Sequence, residues 1–253
     1  MIRLAGVSKS FGETRVLRGL DMEVAAGTTL AVLGRSGTGK SVLLRCVARL
    51  LRVDGGEVEV AGHDMVAADE AEVREVRGRM GYVFQFAALF DSLRIGENVE
   101  LPLRRAGVEP EEARRRADEA LELVGIAGSR DQLPAELSGG MRKRAGIARA
   151  IVSRPDVLLY DEPTTGLDPV TGAVIDDLIL RLKREMGATA ILITHDIRSA
   201  FRVADRVALL HEGRLHAEGT AEEVRDSEDP LLRAFLDGRA ELWPEETSPG
   251  EVA

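Results

Sequence analysis

The sequence predicts an α/β fold with a parallel-sheet core, an antiparallel β portion and an inserted helical portion. Short apolar runs separated by helical patterns are typical of strands buried on both faces of a parallel sheet. Such runs occupy residues 28–33, 157–160, 190–193 and 207–210. The earlier segments IRLAGV, LDMEV and GEVEVAG are shorter, alternate in polarity and are bounded by turn residues, which favours antiparallel strands packed beside the core.

The helical portion lies between Phe86 and Pro155, where the strand pattern disappears, so we expect a helical subdomain at about residues 86–155. An amphipathic helix within it begins at Pro110, which two acidic residues follow. We expect the run Arg114–Arg115–Arg116 on the solvated face of that helix, with partner docking as the alternative. Its apolar face is predicted to contain Ala113, Ala117, Ala120, Leu121 and Val124.

Composition excludes several classes of protein. The single cysteine, Cys46, allows neither an internal disulfide nor a cysteine metal cluster. No segment approaches the roughly 20 apolar residues of a membrane span, and no signal peptide is found, so we expect a soluble, cytoplasmic chain. The net charge of −9 argues against general nucleic-acid binding. Residues 218–253 carry 11 acidic residues and three arginines, so the acidic excess belongs to the C-terminal end.

A phosphate-binding loop follows the first buried run. The sequence GRSGTGKS, ahead of an apolar helical pattern, has the spacing and the strand–loop–helix context of a P-loop. Backbone N–H groups of such a loop surround phosphate oxygens, the lysine reaches the β- and γ-phosphates, and the serine hydroxyl can bind Mg²⁺. The predicted nucleotide-binding residues here are Gly34, Arg35, Ser36, Gly37, Thr38, Gly39, Lys40, Ser41 and Val42.

Two acidic residues and a histidine end later buried runs. Asp161 and Glu162 close VLLYDE, and His195 follows AILIT. Ligands of open α/β sheets bind at the carboxyl ends of the strands. Beside a P-loop, Asp161 is the candidate Mg²⁺ ligand, Glu162 the candidate base that activates water, and His195 a candidate partner of the γ-phosphate. The alternatives are polar strand termination for the acids and a structural role for the histidine.

The segment LSGGMRKRAGIARA predicts a helix that begins after Ser138 as its N-cap. Two glycines at this position expose the first N–H groups of the helix, which suits an anion, although an ordinary capped helix is the alternative. The apolar face is predicted to contain Met141, Ala145, Ala148 and Val152. Off that face lie Arg142, Lys143, Arg144 and Arg149.

Taken in this order, these motifs resemble the nucleotide-binding subunit of ABC transporters over almost the whole chain. The resemblance implies a P-loop NTPase (RecA-like) core, the ABC ATPase fold. Phe11 in SKSFGE fits the aromatic residue that stacks on adenine, with a core phenylalanine as the alternative. Gln85 in YVFQF matches the Q-loop glutamine, which touches Mg²⁺ and the attacking water. LSGGM matches the signature motif, PTTGLD ending in Asp168 matches the D-loop, and His195 matches the switch histidine.

The resemblance also implies an assembly and a reaction. Two subunits form a head-to-tail homodimer in which Ser138, Gly139 and Gly140 of one subunit contact the ATP held by the other. Within each site Ser41, Gln85 and Asp161 are expected at Mg²⁺, with Lys40, Gln85, Glu162 and His195 as the catalytic set for ATP hydrolysis. A separate integral-membrane permease is expected to dock near residues 85–100, which places the subunit on the cytoplasmic face of the membrane.

A narrower resemblance concerns the cargo. LSGGM, FQFAALFDSLRIGENVELPL and PLLRAFLDGRAE resemble the ATPases of Mla-type, MCE-associated systems, which move phospholipid between bacterial membranes. Ala87 stands where that subfamily commonly has glycine, and Met141 replaces the usual glutamine of the signature. This resemblance implies an MCE-domain protein and a small STAS-type protein as further partners.

Two other functions stay open. ATPases of amino-acid or other small-solute importers share most of these motifs, but they usually carry LSGGQ and a proline after the LF of the Q-loop region, where this chain has Asp91. A non-transport ABC protein of DNA repair or translation is disfavoured by the single cassette and the lack of a heptad run. We expect residues 1–240 to form one nucleotide-binding domain and residues 241–253 a tail, in which Trp243 is either a dimer anchor or part of a disordered acidic segment.

Overall fold

The computed structural model describes residues 1–239, and its strands form two sheets. A four-stranded antiparallel sheet has the order β2-β1-β4-β5, and a six-stranded sheet has the order β10-β9-β3-β8-β7-β6. The strands are β1 (Ile2–Phe11), β2 (Thr14–Val24), β3 (Thr29–Leu33), β4 (Gly55–Val60), β5 (His63–Asp64), β6 (Met80–Val83), β7 (Val157–Asp161), β8 (Thr189–Ile193), β9 (Arg206–His211) and β10 (Arg214–Thr220).

Helices cover the six-stranded sheet and fill the insertion. The helices are α1 (Lys40–Val47), α2 (Glu70–Gly78), α3 (Ile95–Arg105), α4 (Pro110–Leu123), α5 (Gly139–Ile151), α6 (Pro169–Met186), α7 (Ile197–Val203), α8 (Ala221–Asp226) and α9 (Pro230–Leu236). Two short 3-10 segments, Ala127–Ser129 and Pro134–Glu136, connect α4 to α5. Within the described residues no helix has both the length and the apolar character needed to cross a membrane.

The six-stranded sheet positions the site. Every residue of β3, β7 and β8 is buried, which confirms the strands predicted from the continuous apolar runs. β3 pairs in parallel with β8 and β9, and β8 pairs in parallel with β7. Because the carboxyl ends of these strands share one edge, the segments that follow β3, β7 and β8 meet there.

Two strands of this sheet were missed by the sequence analysis. β6 pairs in parallel with β7, and β10 pairs antiparallel with β9. The second of the four residues of β6 is Gly81, a residue type that weakens strand patterns. A Cβ at this position would lie 2.4 Å from the Ala150 carbonyl oxygen, so glycine lets α5 pack directly on the strand.

The insertion is helical as predicted, and α4 begins at Pro110. Arg114 and Arg115 are exposed as expected, whereas Arg116 is half-buried and donates to the Val152 carbonyl oxygen at 2.8 Å. On α5, Lys143 lies off the predicted apolar face and yet is only 7% exposed. The Q-loop and the end of β7 pack against this side of the helix, so it is not a solvent face. The predicted tail, with Trp243, lies outside the described residues.

Candidate nucleotide site

The loop after β3 leaves the start of α1 open to an anion. Gly39 precedes α1 with a φ of 99°, and no side chain caps the first N–H groups of the helix. A Cβ on Gly39 would lie 2.7 Å from Val16 Cγ1, so both the backbone and the packing require glycine. Uncapped N–H groups at a helix N-terminus bind phosphate.

Lys40 is buried beneath this loop. Its Nζ donates to the carbonyl oxygens of Gly34 at 2.7 Å and Arg35 at 2.9 Å, and lies 3.8 Å from Glu162 Oε1. Burial lowers the pKa of Lys40, and the neighbouring charges of Glu162 and Asp161 oppose that shift. The loop therefore holds a cation where the β- and γ-phosphates of a nucleotide are expected.

Ser41 and Asp161 form an oxygen pair suited to Mg²⁺. Ser41 Oγ donates to Asp161 Oδ1 at 2.9 Å, and the Tyr82 hydroxyl donates to Asp161 Oδ2 at 3.1 Å. Mg²⁺ prefers a hydroxyl, a carboxylate and phosphate oxygens to an all-protein cage. Among the described residues no cluster of three or more His, Cys, Asp or Glu side chains could hold a metal alone. The donors present fit an ion shared with a bound phosphate.

Glu162 stands one residue past β7 in a left-handed backbone conformation, with a φ of 49°. Its N–H donates to the Ile193 carbonyl oxygen at 3.0 Å. Its Oε2 accepts from Thr165 Oγ1 at 3.0 Å and lies 2.7 Å from His195 Nδ1. The carboxylate is thus oriented by groups from two different strand ends.

Lys40, Ser41, Glu162 and His195 line one cavity of about 520 Å³. The predicted residues Asp161, Gly34, Arg35 and Thr38 are not among its lining residues. Phe11 is 48% exposed at its rim, which excludes the core alternative for this residue. The His195 side chain is 60% exposed, so it is available to a ligand rather than enclosed in the core. The lining consists of Phe11, Val16, Ser36, Gly37, Gly39, Lys40, Ser41, Val42, Gln85, Glu162 and His195.

The signature and D-loop residues lie elsewhere in the described chain. Ser138, Gly139, Gly140 and Asp168 are not among the residues that line this cavity. Ser138 Oγ accepts from the Met141 N–H at 3.3 Å, which confirms the predicted N-cap of α5. Asp168 caps α6, and a hydrogen bond from the Thr171 hydroxyl at 2.6 Å holds the pKa of its carboxyl below the usual range.

Four residues of the site escaped the sequence analysis. Tyr82 and Thr165 hydrogen-bond to the carboxylates of Asp161 and Glu162, Val16 lines the cavity, and Lys143 donates to the backbone carbonyl oxygen of Glu162. Of these four, only Thr165 could have been found from the sequence, because it lies within the D-loop motif PTTGLD. The other three come from β2, β6 and α5, so only the tertiary fold brings them to the loop.

Comparison with known proteins identifies the family of this chain. The profile of the ABC transporter family matches residues 17–165. The chain belongs to the ABC transporter family. It superposes on the dimeric, ADP- and Pi-bound post-hydrolysis structure of the ATP-binding cassette MJ0796 with a TM-score of 0.80 and 33% identity, over 87% of this chain and 99% of that one. The predicted ABC ATPase fold and ATPase family are therefore confirmed.

Two relatives in this ABC family carry transport names. The methionine import ATP-binding protein MetN of Rhizobium etli is 41% identical over 94% of this chain and 66% of its own length. The probable ribonucleotide transport ATP-binding protein mkl of Mycobacterium leprae is 39% identical over 94% of this chain and 69% of its own length. The chain thus spans about two thirds of the length of these relatives.

Proposed function

We propose that this protein is the ATP-hydrolysing motor subunit of a membrane ABC transporter. The observation that carries the proposal is the convergence of Lys40, Ser41, Gln85, Glu162 and His195 on one cavity beside the uncapped start of α1. This is a set of one positioned cation, hydrogen-bonding side chains and one carboxylate base, which phosphoryl transfer requires.

The chain's own groups divide the work. Lys40 and the loop amides bind the β- and γ-phosphates, and Phe11 stacks on adenine. Glu162 orients and deprotonates the attacking water, and His195 and Gln85 complete the contacts around the γ-phosphate. Ser41, Asp161 and Gln85 would hold Mg²⁺, which when bound would supply positive charge beside the phosphate oxygens.

The site is completed by a second copy of the chain. Ser138, Gly139, Gly140 and Asp168 lie outside the cavity of their own chain, as a head-to-tail homodimer requires. The start of α5 carries N–H groups and two glycines, features that suit the γ-phosphate of the partner's nucleotide. A monomer then binds ATP but hydrolyses it slowly.

The test uses Glu162→Gln with Glu75→Gln, an exposed residue of α2, as the matched control. We expect Glu162→Gln to bind ATP with nearly unchanged affinity, to lose about 100-fold or more in turnover and to elute as a dimer with ATP. The control is expected to behave like wild type. Wild-type turnover in Glu162→Gln, or equal per-site rates for strictly monomeric and dimeric protein, would contradict the proposal.

For the cargo we propose phospholipid or a related lipid, with the Mla/MCE assembly as the setting. The support is the segment after Gln85. Ala87 has a φ of 59°, which explains why glycine suits this position in the subfamily it resembles. Neither MetN nor mkl carries a lipid-transport name, so the MCE-domain and STAS-type partners rest on the sequence resemblance alone.

The same segment is built as a rigid docking surface for a permease. Phe86 is 84% exposed, and Phe90 is about half exposed. The buried side chain of Asn98 holds the turn at residues 90–93, which precedes α3. Its Oδ1 accepts from the Phe90 N–H at 2.8 Å, and its Nδ2 donates to the Leu93 carbonyl oxygen at 3.0 Å. Two exposed aromatic rings on one loop are suited to bind an apolar surface of the permease.

A small-solute importer is the second candidate, because MetN, at 41% identity, is named for methionine import. The deciding experiment is purification of the tagged chain from detergent-solubilised membranes, followed by mass spectrometry of proteins and lipids. A permease with an MCE-domain protein and phospholipid supports lipid transport. A permease with a solute-binding protein and no lipid supports the importer.

The same purification tests the docking surface. The Phe86→Asp variant is expected not to co-purify with the permease, whereas Val66→Asp, an exposed apolar control, is expected to co-purify with it.

A further inference from the structure

Lys143 is a buried cation behind the nucleotide cavity. It lies on α5, little more than one helical turn past Ser138, and is 7% exposed. Its Nζ donates to the backbone carbonyl oxygen of Gln85 at 2.5 Å and to that of Glu162 at 3.2 Å. One ammonium group therefore contacts the main chain of two residues proposed for catalysis.

The cost of burying this charge indicates that the contacts matter. A buried ammonium group loses its hydration, which destabilises the folded protein unless hydrogen bonds replace the lost water. Burial lowers the pKa of Lys143, while the charges of Glu162 and Asp161 counteract that shift. A methionine of similar length would fill the same space without this cost.

Both carbonyl groups belong to strained or sharply turned backbone. Glu162 has a φ of 49°, and its carbonyl oxygen also accepts from the Thr165 N–H at 3.3 Å. Two and three residues after Gln85, Ala87 and Ala88 have φ values of 59° and 48°. Such conformations in residues other than glycine persist only where surrounding contacts hold them. Lys143 supplies a contact of this kind to Glu162 and to Gln85, while the carbonyl oxygens of Ala87 and Ala88 accept from Arg149 of the same helix.

We propose that Lys143 is a positioning residue that holds Glu162 and Gln85 in their catalytic places and ties both to the signature helix. This inference rests on the proposed ATPase function. The N-terminus of α5 faces the partner's nucleotide in the proposed dimer, and Lys143 on the same helix holds the catalytic residues of its own site. Movement of α5 on dimer closure is thereby transmitted to Glu162 and Gln85.

The test compares Lys143→Met and Lys143→Gln with Lys183→Met in the full-length chain. Lys183 is a matched control because it is a lysine on α6 whose Nζ pairs with Asp205 at 2.6 Å, away from the residues that line the cavity. The measurements are the thermal midpoint, ATP affinity, kcat and KM for each variant. Affinity and KM report the P-loop, whereas kcat reports the position of Glu162 and Gln85.

We expect Lys143→Met to lower kcat at least about tenfold with ATP affinity within about threefold of wild type, since both charged hydrogen bonds to the catalytic backbone are lost. Lys143→Gln keeps N–H donors on a shorter side chain, so its kcat should lie between those of wild type and Lys143→Met. Lys183→Met should match wild type in kcat.

Equal kcat for Lys143→Met and Lys183→Met would overturn the inference, and so would a parallel loss of ATP affinity and kcat. If Lys143→Met does not unfold cooperatively, Lys143→Gln decides: a lowered kcat at unchanged affinity supports the role, and a wild-type kcat refutes it. A wild-type chain without ATP hydrolysis would instead refute the proposed function, and this inference with it.

Discussion

Replacing Gly140 with alanine tests the packing of the signature helix without relying on any catalytic assignment. Gly140 lies in the first turn of α5 and is buried against α6. A Cβ on Gly140 would lie 2.6 Å from Thr171 Cγ2. The Thr171 hydroxyl donates to Asp168 Oδ2 at 2.6 Å, so its methyl group cannot rotate away without breaking that hydrogen bond to the N-cap residue of α6.

The magnitude follows from two opposing terms. Carbon atoms in contact sit about 3.5–4.0 Å apart, so the new methyl group would be about 1 Å too close. Overpacking of this kind costs about 1–3 kcal/mol. Alanine gains at most about 1 kcal/mol over glycine in a helix. We therefore expect Gly140→Ala to lose about 1–2 kcal/mol, which lowers the Tm by about 2–8 °C in a domain of this size.

The assay is thermal and urea denaturation of four variants. Gly139→Ala is the control, because its Cβ would lie 3.7 Å from Leu167 Cδ2, an ordinary contact, and it should cost nothing measurable. Thr171→Ser removes the clashing methyl group and keeps the hydroxyl, so the double variant Gly140→Ala/Thr171→Ser should recover about 1 kcal/mol. Equal stability of the two glycine variants, or no recovery in the double variant, would refute the packing account.

Three further predictions concern the site and its surroundings. Asp161→Asn should abolish most of the Mg²⁺-dependent gain in ATP affinity, measured by titration with and without Mg²⁺; an unchanged gain would remove Asp161 as a ligand. Phe11→Ala should weaken ATP binding about tenfold through lost stacking, while Phe11→Tyr binds normally, and equal affinities would exclude stacking. Burial raises the pKa of the Cys46 thiol from 9.0 to about 11, so the folded protein retains a proton that the unfolded chain loses. Stability should therefore fall as pH rises from 9 towards 11, and Cys46→Ala should show a flatter slope in urea denaturation, whereas identical slopes would contradict the shift.

Much of the site could be predicted because its motifs are short and local. The P-loop, the acids at the end of β7 and the histidine after β8 each follow a buried apolar run, and parallel strands bring such ends to one edge. The N-cap at Ser138 was also local, since it depends on a hydrogen bond three residues away. The sequence could therefore place His195 near Glu162 without knowing which atoms meet.

Contacts between distant segments could not be predicted in this way. Tyr82, which contacts Asp161, lies on β6, a strand that the sequence analysis missed because Gly81 weakens its pattern. Lys143, which contacts Gln85, lies off the apolar face of an amphipathic helix. A polar residue in an amphipathic pattern is exposed to solvent only if no other segment packs over its side of the helix. Here the Q-loop and the end of β7 pack over Lys143.

By itself the sequence determined the fold class, the ABC family and the phosphate-binding loop, because hydrophobic period and glycine spacing act over a few neighbouring residues. The tertiary structure alone decided that Phe11 stands at the cavity rim, that the signature residues lie away from their own P-loop, and that a buried lysine holds the backbone of Glu162. These features depend on segments far apart in the chain, and their positions are set by packing of the sheet, α5 and α6 rather than by any local pattern.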